Sequence, residues 1–373
     1  MEAFVKENFE MMIQTLRELC AIPAPSHREG ARAEYCKNWL EKRGAKGVYV
    51  DKAQNVIFPL GCDGSDEITV FAAHLDTVFP DQEPLPYRED EKRIYCPGAG
   101  DDTASVAVLL TLAKYFLEKR ITPPKGILFV FNSCEEGLGN LKGVRQLFQD
   151  FSGRILQFIT FDNQLDRIAD CCVGSHRYEV EVRTQGGHSF GNFGNANAIS
   201  ALSEIVSKIY GILPPQKENC RTTYNVGVIS GGTSVNTIAQ SAKMLCEYRS
   251  SDKECLVVME KKFQEIFDGA RSEEVQVFVQ KIGDRPCGEI DDDKMEPLRQ
   301  ILKPLIEDVI GTPVKFIQES TDCNIPLSMG IPAFSMGVYF GQGWHTREEW
   351  VEKASLAQGL SVAIRSALRL ASS

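Results

Sequence analysis

Five short stretches of this 373-residue chain place metal-binding side chains where an apolar run stops or a helical run starts. They are His74, Asp101, the pair Glu135–Glu136, Asp162 and His345. Imidazoles combined with carboxylates form a borderline-hard donor set that suits zinc, cobalt or manganese, and the lack of thiolates argues against a structural zinc. One ion could take His74 and Asp162 and a second Glu136 and His345, with Asp101 shared between them. A shared carboxylate holds two ions about 3.5–4 Å apart, the spacing of hydrolytic two-metal centres. Glu135 is then left beside the cluster, where a carboxylate can take a proton from water and hand it to a departing amine. Taken singly, an Asp at a helix start is a cap and a Glu pair is a solvated surface. Their convergence is what carries weight.

The elements that must position these side chains follow from periodicity. "EITVFAAH", "GILFVFNSCEE" and "ILQFITFD" are apolar runs of strand length, and each ends in one of the residues above. Helical patterns cover residues 4–20, 29–43 and 141–150, together with "DTASVAVLLTLAKYFLEKR". Strands alternating with helices predict an α/β layer with a mostly parallel sheet, whose carboxyl ends form a binding rim. From residue 177 the order changes to β-α-β-β-α-β, a ferredoxin-like unit over 177–283. The α/β pattern resumes with a helix over 294–310 kinked at Pro304, the strands "PVKFIQES" and "IPAFSMGVY", and a last helix from about 347. The expected division is therefore 1–176 and 284–373 for a catalytic domain, with 177–283 inserted.

Composition excludes several classes. The net charge of −10 with no basic run speaks against nucleic acid and anionic membranes as partners. No apolar run reaches the ~18 residues of a membrane span. The amphipathic N-terminus is no signal peptide, and twelve cysteines without C-x-x-C spacing read as reduced thiols in a cytoplasmic protein. "GAG" before the aspartates lacks the GK[ST] of a phosphate loop, and two carboxylates would repel phosphate.

"HLDTV", "GAGDDTAS", "EEG", "FD" and "GWHTREE" together resemble the signature stretches of the co-catalytic dinuclear zinc peptidases and deacylases. That superfamily includes peptidase T, acetylornithine deacetylase, succinyl-diaminopimelate desuccinylase and aminoacylase, and the resemblance is nearest to peptidase T-like members. It implies a zinc-exopeptidase-like catalytic domain with a lid and dimerisation domain inserted, and two divalent ions, zinc or alternatively cobalt or manganese. His74, Asp101 and Asp162 would hold one ion and Asp101, Glu136 and His345 the other. Glu135 matches the general base, and Asp76 the carboxylate that orients the liganded imidazole. A cis peptide is implied between Asp101 and Asp102. In the inserted domain, His188 of "GGHSFGNFGN" matches a histidine that stabilises the oxyanion in the partner subunit's site. Asn236 and Arg249 match substrate-holding positions.

The expected function is amide hydrolysis in short peptides, aminopeptidase- or tripeptidase-like, by a zinc-bound hydroxide in a homodimer. N-acyl-amino-acid deacylation is the near alternative, and a non-catalytic binding homologue is the alternative of another class. His27 and His176 match nothing in the pattern and read as packing or exposed residues. Asp322 lies in a stretch resembling one near such sites, and helix capping explains it equally well.

Overall fold

A computed structural model describes residues 1–288 and 290–371. The chain divides into two compact units, Met1–Cys172 with Ile290–Ser373, and Val173–Glu289. The first is a mixed α/β unit around an eight-stranded sheet. Its strand order is Tyr49–Val50, Val56–Leu60, Gly126–Asn132, Ile68–His74, Ile155–Thr160, Ala333–Met336, Arg167–Cys172 and Lys315–Glu319. The central strands Gly126–Asn132, Ile68–His74, Ile155–Thr160 and Ala333–Met336 pair in parallel. Every residue of Ile68–His74 and Gly126–Asn132 is buried, which is why these strands read as continuous apolar runs rather than alternating ones.

Register fixes the rim. His74 pairs with Asn132, and Ala72 with Thr160, so the chain leaves three neighbouring strands side by side. Glu135, Glu136 and Asp162 follow within a few residues of those ends. The helix Ser105–Lys119 runs from the Asp101 loop and buries eleven side chains, including Val106, Val108, Leu109, Leu110 and Leu112. Its first residues carry no side-chain cap, and the chain enters it through the Asp101–Asp102 cis peptide.

Three elements depart from the sequence reading. The last helix spans Lys353–Leu370, because Trp350–Glu352 is a strand pairing with Arg93–Tyr95 in a small antiparallel sheet. The helix Asp292–Ile310 contains Pro297 as well as Pro304. The strand Arg167–Cys172 has no alternating or continuous apolar pattern and becomes legible only through its neighbours Lys315–Glu319 and Ala333–Met336.

The second unit has the expected β-α-β-β-α-β order. Its sheet runs Thr222–Gly231, Ser241–Ser250, Gly174–Arg183 and Gln276–Arg285, all antiparallel. The helices Ala198–Tyr210 and Lys253–Asp268 bury Leu202, Ile205, Met259 and Phe263 in one core with Val180, Val182, Met244 and Tyr248. His176 belongs to this packing, since its Nδ1 lies 2.6 Å from the buried Tyr248 hydroxyl. Among the described residues, no helix is long and apolar enough to cross a membrane.

Candidate metal centre

Asp101 sits between two imidazoles. Its Oδ1 lies 3.0 Å from His74 Nε2 and its Oδ2 lies 3.0 Å from His345 Nε2. Asp162 Oδ1 is 3.9 Å from His74 Nε2, and Glu136 Oε1 is 3.2 Å from His345 Nε2. Donor atoms of His74, Asp101 and Glu136 fall within 4.8 Å of one another, as do those of His74, Glu135 and Asp162. Six residues from five segments therefore meet in one place. Glu135 stands within ligand reach of His74 and Asp162 rather than outside the cluster. His345 occupies the left-handed region at φ 61°, a conformation few non-glycine residues adopt and one that clusters at functional sites.

Asp76 does more than orient an imidazole. His74 Nδ1 faces it, 3.0 Å from its backbone carbonyl and 3.5 Å from its Oδ1. The same carboxylate accepts the backbone N–H of Glu135 at 3.0 Å, that of Glu136 at 2.9 Å and the Ser26 hydroxyl at 2.6 Å. One buried residue thus meets the imidazole through its backbone carbonyl and holds two neighbouring glutamates through its carboxylate. The turn before them is held in the same way: Asn55 Oδ1 accepts from Ser133 N, and the buried Glu29 accepts from Cys134 N. Asp102 Oδ2 takes the backbone N–H of His74 at 3.0 Å. The cysteine thiol at 134 also reaches Glu29, with His27 Nδ1 3.3 Å from the sulfur.

Crowded carboxylates show in the proton affinities. Burial, then repulsion by Asp101, pushes Glu136 up to about 7. Burial also raises Asp162 well above the usual carboxylate range, against the pull of His74. Burial works against the charge of Asp101 too, but hydrogen bonds from His345 and His74 hold it well below the ordinary value. The hydrogen bond to Asp101, then the Glu136 carboxylate 3.2 Å away, raises His345 to about 10. Burial opposes a charge on His74, yet its bonds to Asp101 and Asp76 prevail and raise it. Among the described residues, the only cations paired with Asp101, Asp162 and Glu136 are these two imidazoles. Glu136 Oε1 is buried with no partner in hydrogen-bonding geometry. A nitrogen and oxygen donor set with surplus negative charge and an unsatisfied buried oxygen fits divalent ions of the zinc, cobalt or manganese kind.

Asp322 caps nothing: the short helix Asn324–Ser328 has no side-chain cap bond. Its Oδ2 takes the Asn132 amide at 2.7 Å, its Oδ1 is buried without a partner, and burial, then the charge of Glu135, pushes it up to about 8. Glu349 carries no signal of its own in the sequence, although it ends the "GWHTREE" stretch. It is buried and accepts three backbone amides of the Asp101 loop.

His188, Asn236 and Arg249 belong to the second unit. His188 and Asn236 meet on a two-stranded ribbon, where Gly187–His188 pairs with Thr237–Ile238 and Ser189 N donates to the Asn236 carbonyl. His188 Nδ1 accepts the amides of Phe190 and Gly191 at 3.3 and 3.2 Å, which leaves the proton of a neutral ring on Nε2. Arg249 lies on another strand and forks onto Glu247 at 2.8 and 3.1 Å.

Residues 70–369 match the model of peptidase family M20/M25/M40, and the chain belongs to that family. A probable carboxypeptidase of Paracoccidioides brasiliensis (strain Pb03) is 26% identical over 254 residues, covering 61% of this chain and 57% of that protein. The chain thus spans little more than half the length of the curated relatives it matches first. Among solved structures, a tripeptidase from Staphylococcus aureus is 22% identical with a TM-score of 0.78, covering 98% of this chain and 99% of that one. The aminopeptidase PepT from Bacillus cereus is 21% identical with a TM-score of 0.73, covering 96% and 98%. A Bacillus subtilis protein described as a dinuclear metal-binding peptidase of family M20 is 15% identical with a TM-score of 0.66, covering 97% and 99%. At such identities the structural likeness shows the fold alone.

Proposed function

We propose that this member of the M20/M25/M40 family hydrolyses amide bonds in short unblocked peptides, as an aminopeptidase of di- or tripeptides. The observation that carries the reading is Asp101 between two imidazoles, one oxygen to each, with Asp162, Glu136 and Glu135 in reach. His74, Asp101 and Asp162 would hold one divalent ion, and Asp101, Glu136 and His345 a second. Bound there, such ions polarise a carbonyl and acidify water. Glu135 takes the proton from the attacking water and returns it to the departing nitrogen. Asp76 keeps Glu135 and His74 in mutual register through the bonds described above. His188, with its proton on Nε2, donates to the developing oxyanion, while Asn236 and Arg249 hold the substrate. A homodimer through the second unit and a cytoplasmic setting complete the proposal. Twelve cysteines with no C-x-x-C spacing favour a reducing compartment.

The relatives named as probable carboxypeptidases and the neighbour named as an aminopeptidase point to different ends of a peptide. The test is a panel of tripeptides, N-blocked peptides and N-acyl amino acids given to the metal-loaded protein, with and without chelator. Chelator-sensitive release of free amine from unblocked tripeptides is the expected result, and Glu135→Ala should lower kcat by ~10²–10⁴-fold. Turnover of N-blocked peptides as readily as unblocked ones would shift the protein to carboxypeptidases, and turnover of acylated amino acids alone to deacylases.

A further inference from the structure

We infer that Glu349 is a positioning residue that fixes Asp101 between its two imidazoles. The carboxylate is 1% exposed and receives Gly98 N on Oε2 at 2.6 Å, with Gly100 N and Asp101 N on Oε1 at 2.8 and 2.9 Å. Three amides within four residues converge on one side chain. Its main chain is tied to the same loop, because Cys96 N donates to the Glu349 carbonyl and Trp350 pairs with Tyr95. Glu349 also lies four residues after His345. One segment therefore supplies a candidate ligand and the clamp on the residue that ligand faces.

The loop is shaped for this contact. A Cβ on Gly100 would lie 2.9 Å from Glu349 Oε1 and 2.8 Å from Tyr339 Cε2, so only glycine lets the backbone come this close. Gly98 takes the left-handed conformation at φ 74° that brings its N–H round to the carboxylate. Asp101 itself is outside helical geometry at φ −102° and ψ 94°, and its N–H, one of those a helix start leaves without an intrahelical acceptor, goes to Glu349. Glutamine at 349 would retain a single side-chain oxygen and turn an NH₂ towards at least one N–H donor, opening one side of the clamp.

The inference rests on the two-ion reading proposed above, and the test separates them. Wild-type protein, Glu349→Gln and Gly100→Ala are stripped with chelator and titrated with Co²⁺ alone, following visible absorption, bound metal per chain and then turnover. Wild type should take up two ions. In Glu349→Gln the affinity for at least one should fall ~10- to 100-fold, as for other residues that orient ligands. The cobalt spectrum should change, and kcat should fall while KM moves little. Gly100→Ala, which presses on the same carboxylate from the loop side, should reproduce that spectral change. Two ions and an unaltered spectrum in Glu349→Gln would overturn the clamp and leave the two-ion reading standing. So would a loss of kcat matched by an equal rise in KM and a lower melting temperature, with the cobalt spectrum intact. Fewer than two ions in wild type would sink the two-ion reading and the clamp together.

Discussion

The loops around Asp101 and Glu135 and the loop around His188 are built on opposite principles. In the first unit, the backbone amides of His74, Asp101, Glu135 and Glu136 are each held by a buried carboxylate from elsewhere in the chain. In the second, His188 is exposed and takes its bonds from residues two to four positions away, with Phe190 and Phe193 almost fully exposed beside it. On the proposed roles, groups that would share metal ions need their positions over-determined, whereas His188, which would meet a transient substrate charge, needs only the correct tautomer and room to approach.

That contrast can be broken from either side. On the second unit, His188→Ala should lower kcat by ~10²–10³-fold, the usual loss of an oxyanion donor, with bound metal unchanged. Loss of metal in that variant would erase the distinction between the two loops. On the first unit, Asp76→Ala should weaken metal binding by ~10–100-fold, because it frees two glutamate amides and removes the negative charge 3.5 Å from the His74 imidazole. Equilibrium dialysis against zinc reads this directly, and unaltered affinity would reduce Asp76 to a packing residue.

A smaller effect concerns pH. Without metal, Glu136 at about 7 and Asp322 at about 8 bind protons more tightly in the folded chain than carboxylates do when unfolded. Their contribution to stability is present at about pH 4 and is lost as pH rises through those values. His345, raised to about 10, acts in the same direction: its contribution is complete below about 6.5 and fades as pH climbs. The melting temperature of chelated protein should therefore fall by several degrees between about pH 5 and pH 8, and added metal should flatten the profile. A chelated protein that grows more stable over that interval would show that the cluster's charges are not in conflict.

The same contrast explains what the sequence made legible. Metal-binding residue types at the ends of apolar strands could be read directly, because buried parallel strands leave a continuous hydrophobic signature that stops at the rim. The two-unit order could be read too, since 2-fold and 3.6-fold periodicities change near residue 177. What stayed hidden were the acceptors that hold amides. Glu349 in a run of charged residues looks like solvated surface, and Glu29 after "PAPSH" looks like an exposed turn. Nothing local marks a carboxylate whose partner is a backbone N–H tens or hundreds of positions away. Trp350–Glu352 reads as part of the final helix for the same reason, because its strand partner Arg93–Tyr95 is remote.

The most direct test is anomalous diffraction from crystals of the zinc-loaded protein, recorded on either side of the zinc absorption edge. The expected map has two peaks about 3.5–4 Å apart, the usual two-metal spacing, with one Asp101 oxygen on each. A single peak, or a pair that Asp101 does not bridge, would contradict the dinuclear centre on which the proposed chemistry depends.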